Sequence, residues 1–394
     1  MIKPQDRLWA GSGNLLFGGP YTWYITDFDQ RRNFSVTYDP PTEVTNVEET
    51  EEICLEKLRQ HIDELGADVL GIRFADSHGP ITISSSKEDD VTFYTNCDPL
   101  SALQLPFAVR TIMFGNLTEL DRFGPQVDLV TYQADPSVGD GGQKKVAFKY
   151  WFVPNGKFRK WYELQCWSRL PRDHPHIVPF DAVVLDHVRG GVVGFTSLYI
   201  PGGTLDSDTS RVFRLEWLKQ LLSVVDDLNY RYGIMHQDIA RNLLIDENGN
   251  LCIFDYNFSV MIAKHYTPER DDVKGVDAEA VLRLEWVKHL DVKLKHDVQE
   301  YRTILETWVG ERRGRAFTPL DTWLEWGLMP DPPPAPVPLM APDGTVTSRE
   351  MQSTPSLMRA DLIRLGEPYL DWERSASYKL GRQAHWDAIR INGN

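Results

Sequence analysis

The chain has 394 residues, with 42 Lys and Arg against 57 Asp and Glu and a formal net charge of −15. That length can bury cores for two domains, and the acidic balance argues against broad, nonspecific nucleic-acid binding. Cys54, Cys97, Cys166 and Cys252 have no spacing suited to zinc and read as reduced thiols. The N-terminus lacks a signal peptide's apolar stretch, and no apolar run reaches transmembrane length. The expectation is a soluble, cytoplasmic protein without a membrane partner.

Residues 1–120 read as a mixed α/β region with no chemical motif. Within it, Val47 to Leu65 is a predicted helix with Asn46 as N-cap and glutamates in its first turns. Val69 to Phe74 and Val91 to Tyr94 read as strands. From Val127 the pattern sharpens. Val127 to Tyr132 is a strand, a turn-rich loop carries Gly139, Gly141 and Gly142, and Lys145 to Phe152 is the next strand. Trp161, Leu164, Trp167 and Leu170, spaced by three, predict a helix from Lys157 to Leu170. Ala182 to Asp186 and Val192 to Ile200 follow as strands, the second broken by Pro201-Gly202-Gly203. Residues 211–231 show the clearest amphipathic helix, with Leu215, Leu218, Val225 and Leu228 on one face. Asp271-Asp272-Val273-Lys274-Gly275 opens another predicted helical stretch. Residues 328–357 form a Pro-rich, extended linker, and 358–394 a tail with a short helix near Met358 to Leu365.

The richest stretch runs from His236-Gln237-Asp238 through Asn242 to Asp255-Tyr256-Asn257. Asn248-Gly249 is a two-residue hairpin signal. A hairpin centred on that pair sets Leu243 opposite Phe254 and Asn242 opposite Asp255. An amide and a carboxylate would then sit together, with Asp238 just upstream. Such oxygens suit Mg²⁺ held against phosphates, and a further Asp can orient or deprotonate an attacking hydroxyl. A surface hairpin with polar ends accounts for the same residues.

Five features line up in one order: Lys149 on a strand after a glycine-bearing loop, Glu163 on the next helix, a strand from Ser197 ending in a glycine-bearing linker, Asp238 with Asn242, and Asp255. This order resembles the protein-kinase-like fold, from about residue 127 to at least 275. It looks most similar to fungal kinase-like proteins whose catalytic stretch reads His-Gln-Asp-Ile-Ala-Pro-Arg-Asn. The resemblance implies an α+β, two-lobed fold with an extra N-terminal α/β region. The small lobe would span 121–200, the large lobe 201–327, and the 358–394 tail would pack on the large lobe. It implies ATP and Mg²⁺ as cofactors. Lys149 would hold phosphates and pair with Glu163, and Asp255 and Asn242 would hold the metal. Asp238 would serve as base, the hinge with Ser197 and Tyr199 would bind adenine, and Gly139, Gly141 and Gly142 would meet phosphate. His236 would be structural, and Asp272 would brace the catalytic loop.

The chain also departs from the kinase pattern. Asp238 to Asn242 is one residue short of His-Arg-Asp-Leu-x-x-x-Asn, Gly-x-Gly-x-x-Gly is missing, and Gln237 replaces the usual arginine. About 15 residues separate Asp255 from Asp271, with no Ala-Pro-Glu. That leaves no room for a peptide platform and favours phosphotransfer to a small-molecule acceptor. Two other expectations stand beside it. One is a pseudokinase that binds without transfer. The other is a repurposed transferase of fungal secondary metabolism, such as an arginine-containing cyclodipeptide synthase, with tRNA on a basic cluster of Lys144, Lys145, Lys149, Lys157, Arg159 and Lys160.

Overall fold

The computed structural model describes residues 2–16, 18–42, 44, 46–106, 109–134, 142–153, 157–205, 211–239, 241–265, 293–313, 315–329, 335–340, 346–351, 356–374, 384–385 and 389–390. The chain is a mixed α/β protein with several sheets. Gly139, Gly141 and Asp272 lie outside the described residues. Among the described residues no helix is long and apolar enough to cross a membrane.

Near the N-terminus β1 (Leu8–Leu15), β2 (Tyr21–Asp27) and β3 (Arg32–Tyr38) form an antiparallel meander. β4 (Gly71–Phe74) adds parallel to β3, and β5 (Thr82–Ser84) completes the sheet. Helix α1 (Glu49–His61) packs on it through Cys54, Leu55 and Leu58, around Ile25, Phe34, Val36 and Ile72. The helix begins two residues later than expected, so Glu48 and not Asn46 is its N-cap, and Asn46 instead accepts the Glu48 N–H through its side chain at 3.1 Å in the turn before it.

A seven-stranded sheet follows. Its order is Ala384–His385, β7 (Thr118–Gly124), β8 (Val127–Gln133), β9 (Gln143–Tyr150), β11 (Val192–Leu198), β10 (Phe180–Leu185) and β6 (Arg110–Met113). β9 shows why the sheet has two unlike faces. Val146, Phe148 and Tyr150 are buried in an aromatic core, while Ala147 and Lys149 alternate to the other side. Helix α2 (Lys157–Trp167) covers that other side and buries the predicted stripe Trp161, Leu164 and Trp167.

Beyond the sheet, α3 (Leu215–Asp226) passes into a π-helical turn, Asp227–Arg231, so the expected 211–231 helix is two elements. It supports the hairpin of β12 (Leu243–Ile245) and β13 (Leu251–Ile253). Trp217 donates to the Gly249 carbonyl at 2.8 Å, and Gln220 accepts from the Leu251 N–H at 2.9 Å. α4 (Val298–Arg313) packs alongside.

The hairpin register differs by one residue from the expected one: Leu243 pairs with Ile253 and Leu244 with Cys252. Asp246 and Asn250 close the ladder, leaving the three-residue loop Glu247-Asn248-Gly249 with Gly249 at φ +82°. A type I turn ending in a left-handed glycine fits that loop, whereas the two-residue turn would need Asn248 left-handed as well. Asn242 therefore lies opposite Phe254, whose N–H it accepts at 3.1 Å, and not opposite Asp255.

The tail also differs from expectation. Residues 335–340 pair with 346–351, where an extended linker was expected. Leu357, Leu362, Tyr369, Leu370 and Trp372 share a core with Phe148 and Tyr150 of the seven-stranded sheet and with Phe114 and Phe152 just beyond its strands, not with the helical part. Large aromatic faces exposed on the back of that sheet need a cover, and the tail supplies it.

Candidate active site

Lys149, Glu163 and Asp255 come together from three elements. The Lys149 Nζ lies 2.6 Å from Glu163 Oε2 and 2.7 Å from Asp255 Oδ1. β9 places Lys149 by strand alternation, and α2 presents Lys160, Glu163 and Trp167 on one face at i, i+3 and i+7. Asp255 follows β13 and takes φ +63°, a conformation that Asp and Asn tolerate better than most residues.

The electrostatics follow from burial and pairing. Burial would lower the Lys149 pKa, but Asp255 and Glu163 outweigh it and hold the ammonium charged. Burial raises Asp255, but Lys149 overcomes that and keeps its carboxyl below the usual range. Glu163 is fully buried; burial, with Asp255 adding to it against Lys149, pushes its carboxyl up to about 8.

This triad closes one end of a cavity of about 350 Å³. Val127, Ala147, Val178, Leu244 and Phe254 give it apolar walls, and Ser197, Leu198, Tyr199 and Ile200 run along its edge. Strand pairing ends at Leu198, so Tyr199 and Ile200 continue past the sheet along that edge. Phe123 stacks on Tyr199 at the mouth, with centroids 5.8 Å apart.

Asp238 and Asn242 do not line the cavity wall but sit together beside it. The Asn242 amide donates to the Asp238 carbonyl at 2.7 Å and to its carboxylate at 3.1 Å. His236 ties this loop to the segment before Asp255. Its Nδ1 accepts the Asp238 N–H at 3.3 Å, and its Nε2 donates to the Phe254 carbonyl at 2.9 Å. Fully buried and tilted against Tyr256, it has the structural place expected of it.

Of the three glycines Gly142 alone is among the described residues, and it falls elsewhere. Gly142 accepts from the Ala134 N–H where the β8–β9 hairpin opens into its loop, while Lys149 pairs with Val127 at the opposite end. Seven residues of strand put about 23 Å between them. The turn next to Lys149 is instead Gly124-Pro125-Gln126, between β7 and β8, which the sequence reading missed. Its Gly-Pro pair was the available signal.

The basic cluster is not an open patch. Lys149 is in the triad, Lys157 is buried against Asp98 at 2.8 Å, and Lys144 pairs with Asp181 at 2.6 Å. Charges held by buried carboxylates are not displayed for a polyanion. Lys145 and Arg159 are exposed, and Arg159 lies over the Phe258 ring.

Tyr256 is fully buried, and its hydroxyl has no hydrogen-bond partner among the described residues. An unsatisfied buried hydroxyl costs about 1–3 kcal/mol. Tyr256→Phe is therefore expected to hold or raise the denaturation midpoint, and a clear fall would show an unrecognised partner.

No family model matches the chain. Local similarity to plant kinases does appear. CBL-interacting serine/threonine-protein kinase 15 of Arabidopsis thaliana is 35% identical over 98 residues, covering 22% of this chain and 21% of that kinase. CBL-interacting protein kinase 2 of Oryza sativa subsp. japonica is 35% identical over 98 residues, covering 22% of this chain and 20% of that protein. CBL-interacting serine/threonine-protein kinase 20 of Arabidopsis thaliana is 32% identical over 94 residues. The chain spans about a fifth of the length of these curated relatives. The similarity points to a protein-kinase-like region. It reaches no further than that region.

Proposed function

We propose that the chain is an atypical transferase with a two-lobed kinase-like fold, using ATP and Mg²⁺ to phosphorylate a small-molecule acceptor. One observation carries this reading: Lys149 is clamped between Glu163 and Asp255 at the end of an apolar cavity edged by Ser197 to Ile200. A slot of this kind suits a flat base between Ala147 and Leu244, with polar groups at one edge for orientation. The local similarity to kinases agrees with it.

The donor set fits a metal nucleotide. Asp255 is held ionised by Lys149, and Asn242, which pairs through its backbone with neighbouring Phe254 and through its side chain with Asp238, would bring further oxygen atoms. Mg²⁺ would be held by Asp255 and Asn242 and would neutralise charge on the phosphates. Lys149 would hold the nucleotide's phosphates, Glu163 would fix Lys149 in place, and Asp238 would orient the acceptor hydroxyl and take its proton. The phosphate-roofing role first given to Gly139, Gly141 and Gly142 passes to the Gly124–Gln126 turn, which is the one beside Lys149. The short stretch between Asp255 and Asp271 favours a small acceptor over a peptide.

Adding MgATP to the full chain is expected to raise its melting temperature. Ligand at a hundred times its Kd stabilises by about 2.7 kcal/mol. Ala147→Leu, which fills the slot, is expected to remove the shift while the ligand-free chain melts as before. An equal shift in both proteins would place ATP elsewhere.

A second reading, binding without transfer, is favoured by the Asn242 amide being engaged with Asp238. ATP would then raise the melting temperature with no product formed from any acceptor.

A further inference from the structure

The Gly124–Gln126 turn is fastened at one residue. Gln126 is 7% exposed and takes φ +60°, a region costly for a side chain of its kind. Its carbonyl accepts the Tyr150 N–H at 3.1 Å. Its Oε1 accepts the Phe152 N–H at 3.0 Å and the Lys160 Nζ at 2.8 Å. One side chain thus joins the turn, the end of the Lys149 strand and the helix that carries Glu163. Lys160 lies one helical turn ahead of Glu163 on the same face.

The lysine is an expensive choice for this place. It donates to a neutral amide, the Gln126 side chain. Burial, and then the charge of Lys149, push the Lys160 amine down to about 7, while Glu163 and Asp255 pull the other way. An apolar side chain would pack here without that cost.

We propose that the Gln126–Lys160 contact is a latch that locks α2, and with it Glu163, against Lys149, so that the charged end of the cavity stays assembled without an outside signal. The latch itself rests on the contacts alone; its effect on ATP rests on the nucleotide reading above. Gln126 and Lys160 are positioning residues here. They act through Glu163 and Lys149.

The test uses the full chain with Lys160→Met and Gln126→Glu, read by ligand-free amide exchange across 157–167 and by MgATP affinity. Lys160→Met is expected to speed exchange in α2 about tenfold, because the helix opens locally when its tie is cut. It is expected to weaken MgATP binding by a similar factor. Gln126→Glu keeps exchange in α2 near wild type, since its carboxylate still accepts from Phe152 and Lys160. Stability separates this from misfolding. The folded-state pKa of Lys160 is lowered, so between about 7 and 10.5 the unfolded chain binds more protons and wild-type stability rises with pH. Below that window the charged amine is a burden, and Lys160→Met is expected to melt no lower than wild type at pH 6. Unchanged exchange in α2 of Lys160→Met overturns the latch, whether or not ATP binds. Failure of wild type to bind MgATP sinks the nucleotide reading, and the exchange measurement still decides the latch.

Discussion

Asp255→Asn is expected to stop turnover while the fold and the cavity persist. Asn is the informative substitution because it can keep the left-handed backbone that Asp255 adopts at φ +63°. It removes the charge that would face the metal and one of the two carboxylates on Lys149. Loss of a partner that only supports a metal ligand costs about 10–100-fold, so loss of the ligand's own charge should cost more. Lys149 keeps Glu163 at 2.6 Å, and with the Asp255 charge gone Glu163 is freer to ionise. MgATP consumption with candidate acceptors, comparing wild type and mutant, checks this. Undiminished turnover in Asp255→Asn removes the phosphotransfer proposal. Wild type that binds MgATP and yields no product supports the pseudokinase reading instead.

Arg374→Met is expected to destabilise the chain more than any surface change. Arg374 donates to Glu119 at 3.0 Å, to Asp128 at 2.9 Å and to the Asp29 carbonyl at 2.7 Å. Arg31, fully buried, pairs with the same Asp128 and donates to the Tyr150 hydroxyl at 3.0 Å. The network joins the N-terminal region, β7, β8 and the tail behind the strand that carries Lys149. Removing one member of a buried ion pair costs about 3–5 kcal/mol, because the remaining charge is left uncompensated. That corresponds to a melting temperature lower by on the order of ten degrees. The loss should depend on pH. Burial raises Asp128, with Arg374 the largest opposing influence, so the mutant's Asp128 moves further up. A native carboxyl raised above its unfolded value binds more protons than the unfolded chain. Stability in the mutant should therefore recover as pH falls from about 7 toward 4. Denaturant titrations of both proteins across that range check it, and coincident curves would show the network to be dispensable.

Local pattern carried much of this protein. Strand alternation around Lys149, the Trp161-Leu164-Trp167 stripe and the hairpin near Asn248-Gly249 were legible because each depends on residues a few positions apart. The triad was legible only as an ordered set of motifs, since none of its three residues is distinctive alone. Two local inferences failed for local reasons. The hairpin register slipped by one because Gly249 alone, and not Asn248, takes the left-handed position. Gly142 was assigned to phosphate because it precedes Lys149 in sequence, although a strand separates it from Lys149 in space.

The sequence by itself determined most elements from Val127 to the Ile253 strand and the chemical kinds of residue, because backbone periodicity and turn chemistry are read over short windows; the strands Leu8–Leu15, Tyr21–Asp27 and Arg32–Tyr38 it did not reveal. Only the tertiary structure decided which turn lies beside Lys149, that Lys144 and Lys157 are tied to carboxylates, and that Arg374 of the tail joins Arg31 across Asp128. Those outcomes depend on burial and on charges brought together from tens to hundreds of residues apart, where the cost of an unpaired ion selects the partner and no short-range pattern records the choice.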